Sequence, residues 1–361
     1  MDLLTGNVKK LYFRYLGAAF GSAIISSIYG LVDTAMVGQY HGPQGAAAMA
    51  VVAPVWNIIY SLGLLAGIGG SVLFSTARGQ GQSRREQEYF SAALLGVSGL
   101  AIISWLVIFL LDAPLLTLFG ADQALLPLAQ AYLLPVKWVV PVFLFNQMLA
   151  AFLRNDGDPG RAAAAVLSGG IFNIFGDYFF VFALDMGIFG AGLATAIGSV
   201  ISLLVALTHF LSPKNTLRFL WPSRLPQKLR AILVTGFSTF FIDIAMGILT
   251  MLFNRQILQG LGTDALAVYG VIVNVSTMVQ CCAYSVGQAA QPILSACFGA
   301  GKWGRIRAAL KYALMAAAFF SAVWTLLVWA APNGFVRIFM DAGPDIYAIA
   351  PAILRTYGLS F

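Results

Sequence analysis

Charged residues are scarce in this chain. They make up 10% of its 361 residues, whereas 60% are hydrophobic and the mean hydropathy is +0.84. A soluble domain carries roughly 25% charged residues, because its surface has to interact with water. So low a charge content excludes an ordinary soluble protein and predicts a polytopic membrane protein.

Histidine and cysteine are scarcer still, and they form no recognisable site. His41 and His209 stand alone, and Cys281, Cys282 and Cys297 have neither metal-ligand spacing nor the pattern of a disulfide framework. The sequence contains no Walker A phosphate loop and no nucleophile elbow. It therefore predicts neither an enzyme nor a bound cofactor.

Long apolar segments fill most of the chain. A helix needs about 20 apolar residues to cross about 30 Å of hydrocarbon. Nine complete segments meet this requirement and a tenth begins near the end, at 11–37, 46–76, 90–111, 126–152, 162–184, 189–211, 229–256, 265–297, 309–331 and from 346 onward. The sequence predicts an all-α fold of membrane-spanning helices. Within it, Gly17/Gly21 and Gly63/Gly67 have the small-xxx-small spacing of helix-packing faces.

The basic residues have a strongly uneven distribution. Of the 21 Lys and Arg residues, seventeen fall at alternate breaks between spans, and the intervening breaks carry only Arg255 and Arg337. An excess of Lys and Arg in alternate short loops marks the cytoplasmic side. This distribution predicts a cytoplasmic N-terminus. It also explains the net charge of +7 by contact with the lipid bilayer rather than by binding of nucleic acid.

The chain also repeats itself at an offset of 220 residues. The loop Gly79-Gln-Gly-Gln82 reappears as Gly299-Ala-Gly-Lys302, and the flanking spans match without gaps. Six spans separate the two copies, and because six is even the repeats are parallel, as in some secondary transporters. We expect an N-lobe at 1–220 with spans 1–6. A C-lobe at 221–361, with spans 7–9 and part of a tenth, would be an incomplete second copy.

Three carboxylates lie inside the spans, where an unpaired charge is expensive and usually marks a functional site. They are Asp33, Asp177 and Asp243. Counted from the outer ends of their helices, Asp33 is about four and Asp177 about seven residues deep, so at ~1.5 Å per residue they share one layer. Asn173, Tyr132 and Thr195 fall in the same layer.

The oxygens of this layer allow two kinds of chemistry. Carboxylate, amide and hydroxyl oxygens suit a hard cation such as Na⁺, whereas two nearby carboxyls raise one pKa and make a proton acceptor. The residue pattern does not choose between Na⁺ and H⁺. The alternative is that these groups only form hydrogen bonds between helices, which for Tyr132 and Thr195 taken singly is the simpler explanation.

A second group of polar and soft side chains lies in the later spans. Asp243 is ten positions before Phe253, the equivalent of Asp33 in the second copy, so it is not a duplicated site. It could bind a cationic substrate or pack helices together. Gln280, Gln288 and Met278 are further candidates for the lining of a central cleft, since methionine adapts to varied apolar ligands.

Several motifs together resemble the multidrug and toxic compound extrusion (MATE) family. They are Asp33-Thr-Ala-Met-Val-Gly38, Gly79-Gln-Gly, Leu153-Arg-Asn-Asp-Gly-Asp158, Asn173-x-x-x-Asp177 and Gly187-Ile-Phe-Gly-Ala-Gly-Leu-Ala-Thr195. The resemblance implies two six-helix lobes in a V shape. It also implies an N-lobe cation site made by Asp33, Asn173, Asp177, Thr195, Tyr132 and the backbone carbonyl of Ala191. The proline that often bends the first helix of this branch is absent from Leu16-Gly-Ala-Ala-Phe20.

The resemblance implies an antiporter in the plasma membrane, the inner membrane of a bacterial cell. It would export small organic, often cationic, compounds by alternating access in exchange for Na⁺ or H⁺, as a monomer. Two alternatives remain open. A lipid-linked oligosaccharide flippase would need a cleft rich in Arg and Lys, which these spans lack, and an incomplete chain could be a membrane protein that does not transport.

Overall fold

The computed structural model describes residues 3–339 and 344–360, and helices account for most of them. The helices, numbered in chain order, are α1 (Val8–Gly79), α2 (Ser83–Leu118), α3 (Leu125–Asn155), α4 (Pro159–Asp177), α5 (Gly187–Leu207), α6 (Leu225–Gly299), α7 (Trp303–Ala330), α8 (Pro332–Phe339) and α9 (Pro344–Gly358). A π-helix, Tyr178–Ala183, continues α4, and a 3₁₀ helix, Thr208–Leu211, continues α5. The predicted all-α class is confirmed.

Two of these helices are far longer than one membrane crossing. Helix α1 has 72 residues, about 110 Å at 1.5 Å per residue, and its regular geometry is broken at Gly42, where φ is +66°. Only glycine adopts such a backbone readily, so Gly42 separates spans one and two. Helix α6 has 75 residues and contains two apolar ranges, Leu225–Leu249 and Val268–Gly299. The nine predicted spans each correspond to helix, and the 15-residue α9 lies at the predicted start of the tenth.

Glycines on the second part of α1 allow α3 to approach closely. A Cβ atom at Gly63 would contact Gln147, and one at Gly67 would contact the backbone of Met148. The packing face predicted at Gly63/Gly67 therefore exists. The one predicted at Gly17/Gly21 is wrong, because a Cβ at either position would lie in open space.

The two halves of the chain meet through a symmetric pair of glycine contacts. A Cβ atom at Gly79 would collide with the carbonyl oxygen of Ala296, and one at Gly299 would collide with the carbonyl oxygen of Thr76. Both pairs are related by the offset of 220. Asn155 reinforces this end by accepting from Ser75 (2.5 Å) and exchanging hydrogen bonds with Gln291 (2.9 and 3.1 Å).

Candidate cation-binding site

The structure brings the predicted polar layer together inside the first half. The Tyr132 hydroxyl donates to Asp33 Oδ2 at 2.7 Å and lies 3.5 Å from Thr195 Oγ1. Asn173 Nδ2 donates to Thr195 Oγ1 at 2.9 Å and approaches Asp177 Oδ1 at 3.4 Å. Four helices therefore contribute to one connected cluster of five side chains.

Local sequence places each of these groups. Asn173 and Asp177 are four residues apart on α4, which puts them on one face of the helix. Glycine at 176 and 192 permits close approach, since a Cβ at Gly176 would contact Ala194 of α5 and one at Gly192 would collide with the carbonyl oxygen of Tyr132. The π-helix begins directly after Asp177, and such turns are frequent at functional sites.

Three oxygens of the cluster are buried and have no hydrogen-bond partner among residues 3–339 and 344–360. They are Asp33 Oδ1, Asn173 Oδ1 and Asp177 Oδ2. Asp33 is 5% exposed and Asp177 is fully buried. A buried polar atom left without a partner costs about 1–3 kcal/mol, and more if it is charged, so three at one point need an explanation.

A hard cation or a proton would supply the missing partner. Two carboxylates, an amide oxygen and hydroxyl oxygens form an all-oxygen donor set, which suits Na⁺ rather than a softer metal. A proton shared with one carboxyl would also remove the unpaired charge. The residues present therefore fit either ion. Ala191 is buried at the start of α5, and a role for its carbonyl stays a prediction.

The residues predicted to line a central cleft do not form one hydrogen-bonded cluster within the described residues. Asp243 accepts hydrogen bonds from Ser61 of the first half at 3.3 Å and from Tyr284. Gln280, Gln288 and Met278 are half-buried on α6, and within the described residues none of them hydrogen-bonds to Asp243. Their assignment to a cleft stays a prediction.

Sequence reasoning missed a buried ionic cluster at the loop after α3. Asp156 receives hydrogen bonds from Arg78 (2.8 Å), the Thr216 amide (2.9 Å) and His209, whose Nε2 lies 2.8 Å away. Burial alone would raise the pKa of the Asp156 carboxyl, but the bonds from His209, Thr216 and Arg78 hold this pKa below its usual value. The cluster attaches the segment after α5 to α1 and α3. Its signal was the acidic pair in Asp156-Gly-Asp158, which the sequence analysis used only as part of a family motif.

Long apolar helices that enclose a buried polar cluster are typical of membrane transporters. Residues 18–179 and 239–361 match the MatE family, which is well over half of the chain. The chain therefore belongs to the MatE family of membrane transporters, as its motifs predicted.

Individual relatives agree with this family. The chain is 25% identical over 323 residues to "Multidrug export protein MepA" of Staphylococcus saprophyticus, covering 88% of this chain and 71% of that protein. It is 25% identical over 334 residues to a protein of the same name from Staphylococcus aureus strain MSSA476, covering 92% and 73%. Its fold matches an "Outward-facing conformation of a multidrug resistance MATE family transporter of the MOP superfamily" with a TM-score of 0.89 at 22% identity, over 99% of this chain and 80% of that one.

Proposed function

We propose that this protein is a multidrug exporter of the plasma membrane that is driven by Na⁺ or H⁺ bound at the Asp33/Asp177 cluster. The observation that carries the proposal is the group of three unpartnered buried oxygens, Asp33 Oδ1, Asn173 Oδ1 and Asp177 Oδ2. The relatives named above are multidrug proteins, which supports an organic substrate and does not favour the oligosaccharide flippase.

The proposed cycle depends on the free energy of ion binding in one conformation. A ligand shifts a conformational equilibrium only by its difference in affinity for the two states. An ion that pairs Asp33 and Asp177 favours the state in which helices α1, α3, α4 and α5 are packed as described here. Each charge that crosses the full membrane potential contributes about 2.3 kcal/mol per 100 mV, which is enough to drive moderate export.

Vesicle transport with separate gradients tests the proposal. The purified chain is reconstituted, and efflux of ethidium is followed with a Na⁺ gradient alone and with a pH gradient alone. We expect one gradient to drive efflux in the unaltered protein and Asp33→Asn or Asp177→Asn to abolish that dependence. The matched control is Asp185→Asn, an exposed carboxylate outside the polar cluster that accepts a hydrogen bond from Tyr40. Gradient-driven efflux that survives in both site variants would overturn the proposal.

A further inference from the structure

An open cavity with a volume of about 880 Å³ lies between the first turns of α2 and the first turns of α6. Side chains from the stretch 82–89 form one wall, and side chains from the stretch 223–231 form the other. Beside the cavity the two helices touch, because a Cβ atom at Gly96 would lie 2.9 Å from the Leu229 side chain. The charged side chains of the walls are Arg84, Arg85, Arg224, Lys228 and Glu88. Basic groups therefore outnumber acidic groups in this cavity.

Glu88 neutralises only part of the positive charge. Its side chain is buried, with Lys228 Nζ 2.9 Å from its Oε2 and Arg84 Nε 3.3 Å from its Oε1. The Arg84 side chain is 79% exposed, and an ion pair with so exposed a partner contributes little. One carboxylate offsets one positive charge, so the cavity keeps an excess of basic groups.

The guanidinium groups of Arg85 and Arg224 have no carboxylate partner within residues 3–339 and 344–360. Arg85 donates to two neutral oxygens, Gln82 Oε1 at 3.2 Å and the Tyr89 hydroxyl at 3.3 Å. The Arg224 side chain forms neither an ion pair nor a hydrogen bond with the part of the chain that the structure describes. Both arginines are exposed, so a ligand in the cavity can reach both of them.

The offset of 220 provides an internal comparison for Arg85. The residue at the equivalent position is Arg305, whose Nη2 donates to the Leu3 carbonyl oxygen at 2.9 Å. Nearby, Lys302 Nζ donates to the Leu4 carbonyl oxygen at 3.0 Å. A backbone segment therefore brings oxygen acceptors to Arg305. No backbone oxygen of the described residues accepts from Arg85, so the same position is open there to an acceptor from outside the chain.

The position of the cavity along the helices favours a lipid over a soluble anion. The apolar range of α6 begins at Leu225, so the cavity lies where this span begins, on the side of the basic loops. Phospholipid headgroups lie at this level, outside the hydrocarbon. Val234 is 67% exposed and follows Ala231 of the cavity wall by three residues, which puts both on one face of α6. An apolar path for an acyl chain therefore leads from the cavity toward the hydrocarbon.

We propose that this cavity binds an anionic phospholipid, with the phosphate between Arg85 and Arg224 and an acyl chain along α6 past Val234. A guanidinium binds phosphate oxygens through two parallel hydrogen bonds, and basic residues at the membrane surface attract anionic lipids. The lipid would connect α2 to α6 through residues that take no part in the Asp33/Asp177 cluster. The inference is therefore independent of the proposed transport function.

Two phospholipids and one soluble anion test the inference. Phosphatidylglycerol carries a net negative charge, whereas phosphatidylcholine has the same phosphate group and no net charge. Each lipid with the same acyl chains is titrated into the full chain in detergent, and native mass spectrometry measures the dissociation constant of the first bound lipid. We expect the unaltered protein to bind phosphatidylglycerol about tenfold more tightly, about the effect of one hydrogen bond to a charged group. Inorganic phosphate at the same concentration should not displace it.

A matched pair of double variants separates this cavity from general attraction between charges. Arg85→Gln with Arg224→Gln should remove the preference for phosphatidylglycerol. The control is Arg218→Gln with Arg230→Gln, which removes as many charges at exposed arginines outside the cavity wall and should keep the preference. Phosphatidylglycerol should also raise the unfolding temperature of the unaltered protein and of the control, and leave that of the cavity variant unchanged.

Three outcomes would overturn the inference. Equal affinity of the unaltered protein for the two lipids rejects an anionic-lipid site, whether or not any variant folds. An equal loss of preference in both double variants shows that general attraction between charges is sufficient. Displacement of phosphatidylglycerol by an equal concentration of inorganic phosphate shows that the cavity binds a soluble anion and rejects the lipid.

Discussion

At the scale of single residues, Tyr132 is the most direct test of the cation site. Its hydroxyl donates a hydrogen bond to the Asp33 carboxylate at 2.7 Å. Tyr132→Phe keeps the ring and removes about one hydrogen bond, worth about 1 kcal/mol. We expect the concentration of the driving ion at half-maximal efflux to rise about fivefold. The control is Tyr178→Phe, at an exposed tyrosine that directly follows Asp177, and it should leave the ion dependence of efflux unchanged. An unchanged ion dependence in Tyr132→Phe would show that the Tyr132 hydroxyl is not part of the site.

The sequence predicted the members of the polar cluster because carboxylates stand out in apolar segments. Asp33 and Asp177 needed only the cost of buried charge and a count of helix depth, and the structure places them in one cluster with Tyr132. The burial of Arg154, which is 6% exposed, could not be recognised in that way. Arg154 falls at a basic break, where the positive-inside rule already accounts for an arginine, and its burial depends on contacts that no local pattern encodes.

At the scale of helices, the crossing of the two halves at Gly79 and Gly299 leaves no room for a side chain. In Gly299→Ala the new methyl group would collide with the Thr76 carbonyl oxygen, so the helices must separate. We expect this variant to open the end that carries the basic loops, and a cysteine introduced by Asn155→Cys to react faster with a thiol reagent in that background. Gly99→Ala is the control, because a Cβ there meets nothing within 4 Å. Equal reaction rates in both backgrounds would show that this crossing does not close the cleft.

The ionic cluster around Asp156 predicts how stability depends on pH. Because the pKa of this carboxyl is lower in the folded protein than in the unfolded chain, where it is about 3.9, it contributes stability above that value. The contribution is lost as the pH falls through the folded pKa. We expect Asp156→Asn to destabilise the protein by about 3 kcal/mol at pH 7 and the difference to shrink below about pH 4. Thermal unfolding in detergent measures it, with Asp185→Asn as the control. A difference that stays constant down to pH 3 would contradict this role.

Two local features of the helices could not be predicted from the sequence pattern. The spans were predictable because apolar length is a strong signal, but the π-helix at Tyr178–Ala183 was not. It begins directly after Asp177, and the apolar sequence there would suit an ordinary α-helix equally well. The failed packing face at Gly17/Gly21 has a similar cause, because spacing shows which helix face is small and not whether a neighbour occupies it.

At the scale of the whole molecule, the two loops that the offset of 220 relates lie next to contacts between the two halves of the chain. Gly79 and Gly299 obey the offset of 220, and so do Thr76 and Ala296, and each glycine packs against the backbone of the other half. The functional clusters do not obey it, since Phe253 replaces the carboxylate that Asp33 would require in a second copy.

Labelling of the Cys281 thiol tests which side of the membrane the cleft opens to. The close crossings of the halves lie at the end with the basic loops, so we expect the cleft to open toward the opposite side. Cys281 is half-buried against Ser27 at mid-depth (Sγ to Oγ, 2.7 Å), whereas Cys282 and Cys297 are buried. A membrane-impermeant methanethiosulfonate added from outside to oriented vesicles should therefore label Cys281 alone, and Cys281→Ser should abolish the labelling. A reagent that cannot cross the bilayer reaches the thiol only through the open side of the cleft. Reaction only from the side of the basic loops would therefore show that the cleft opens toward those loops.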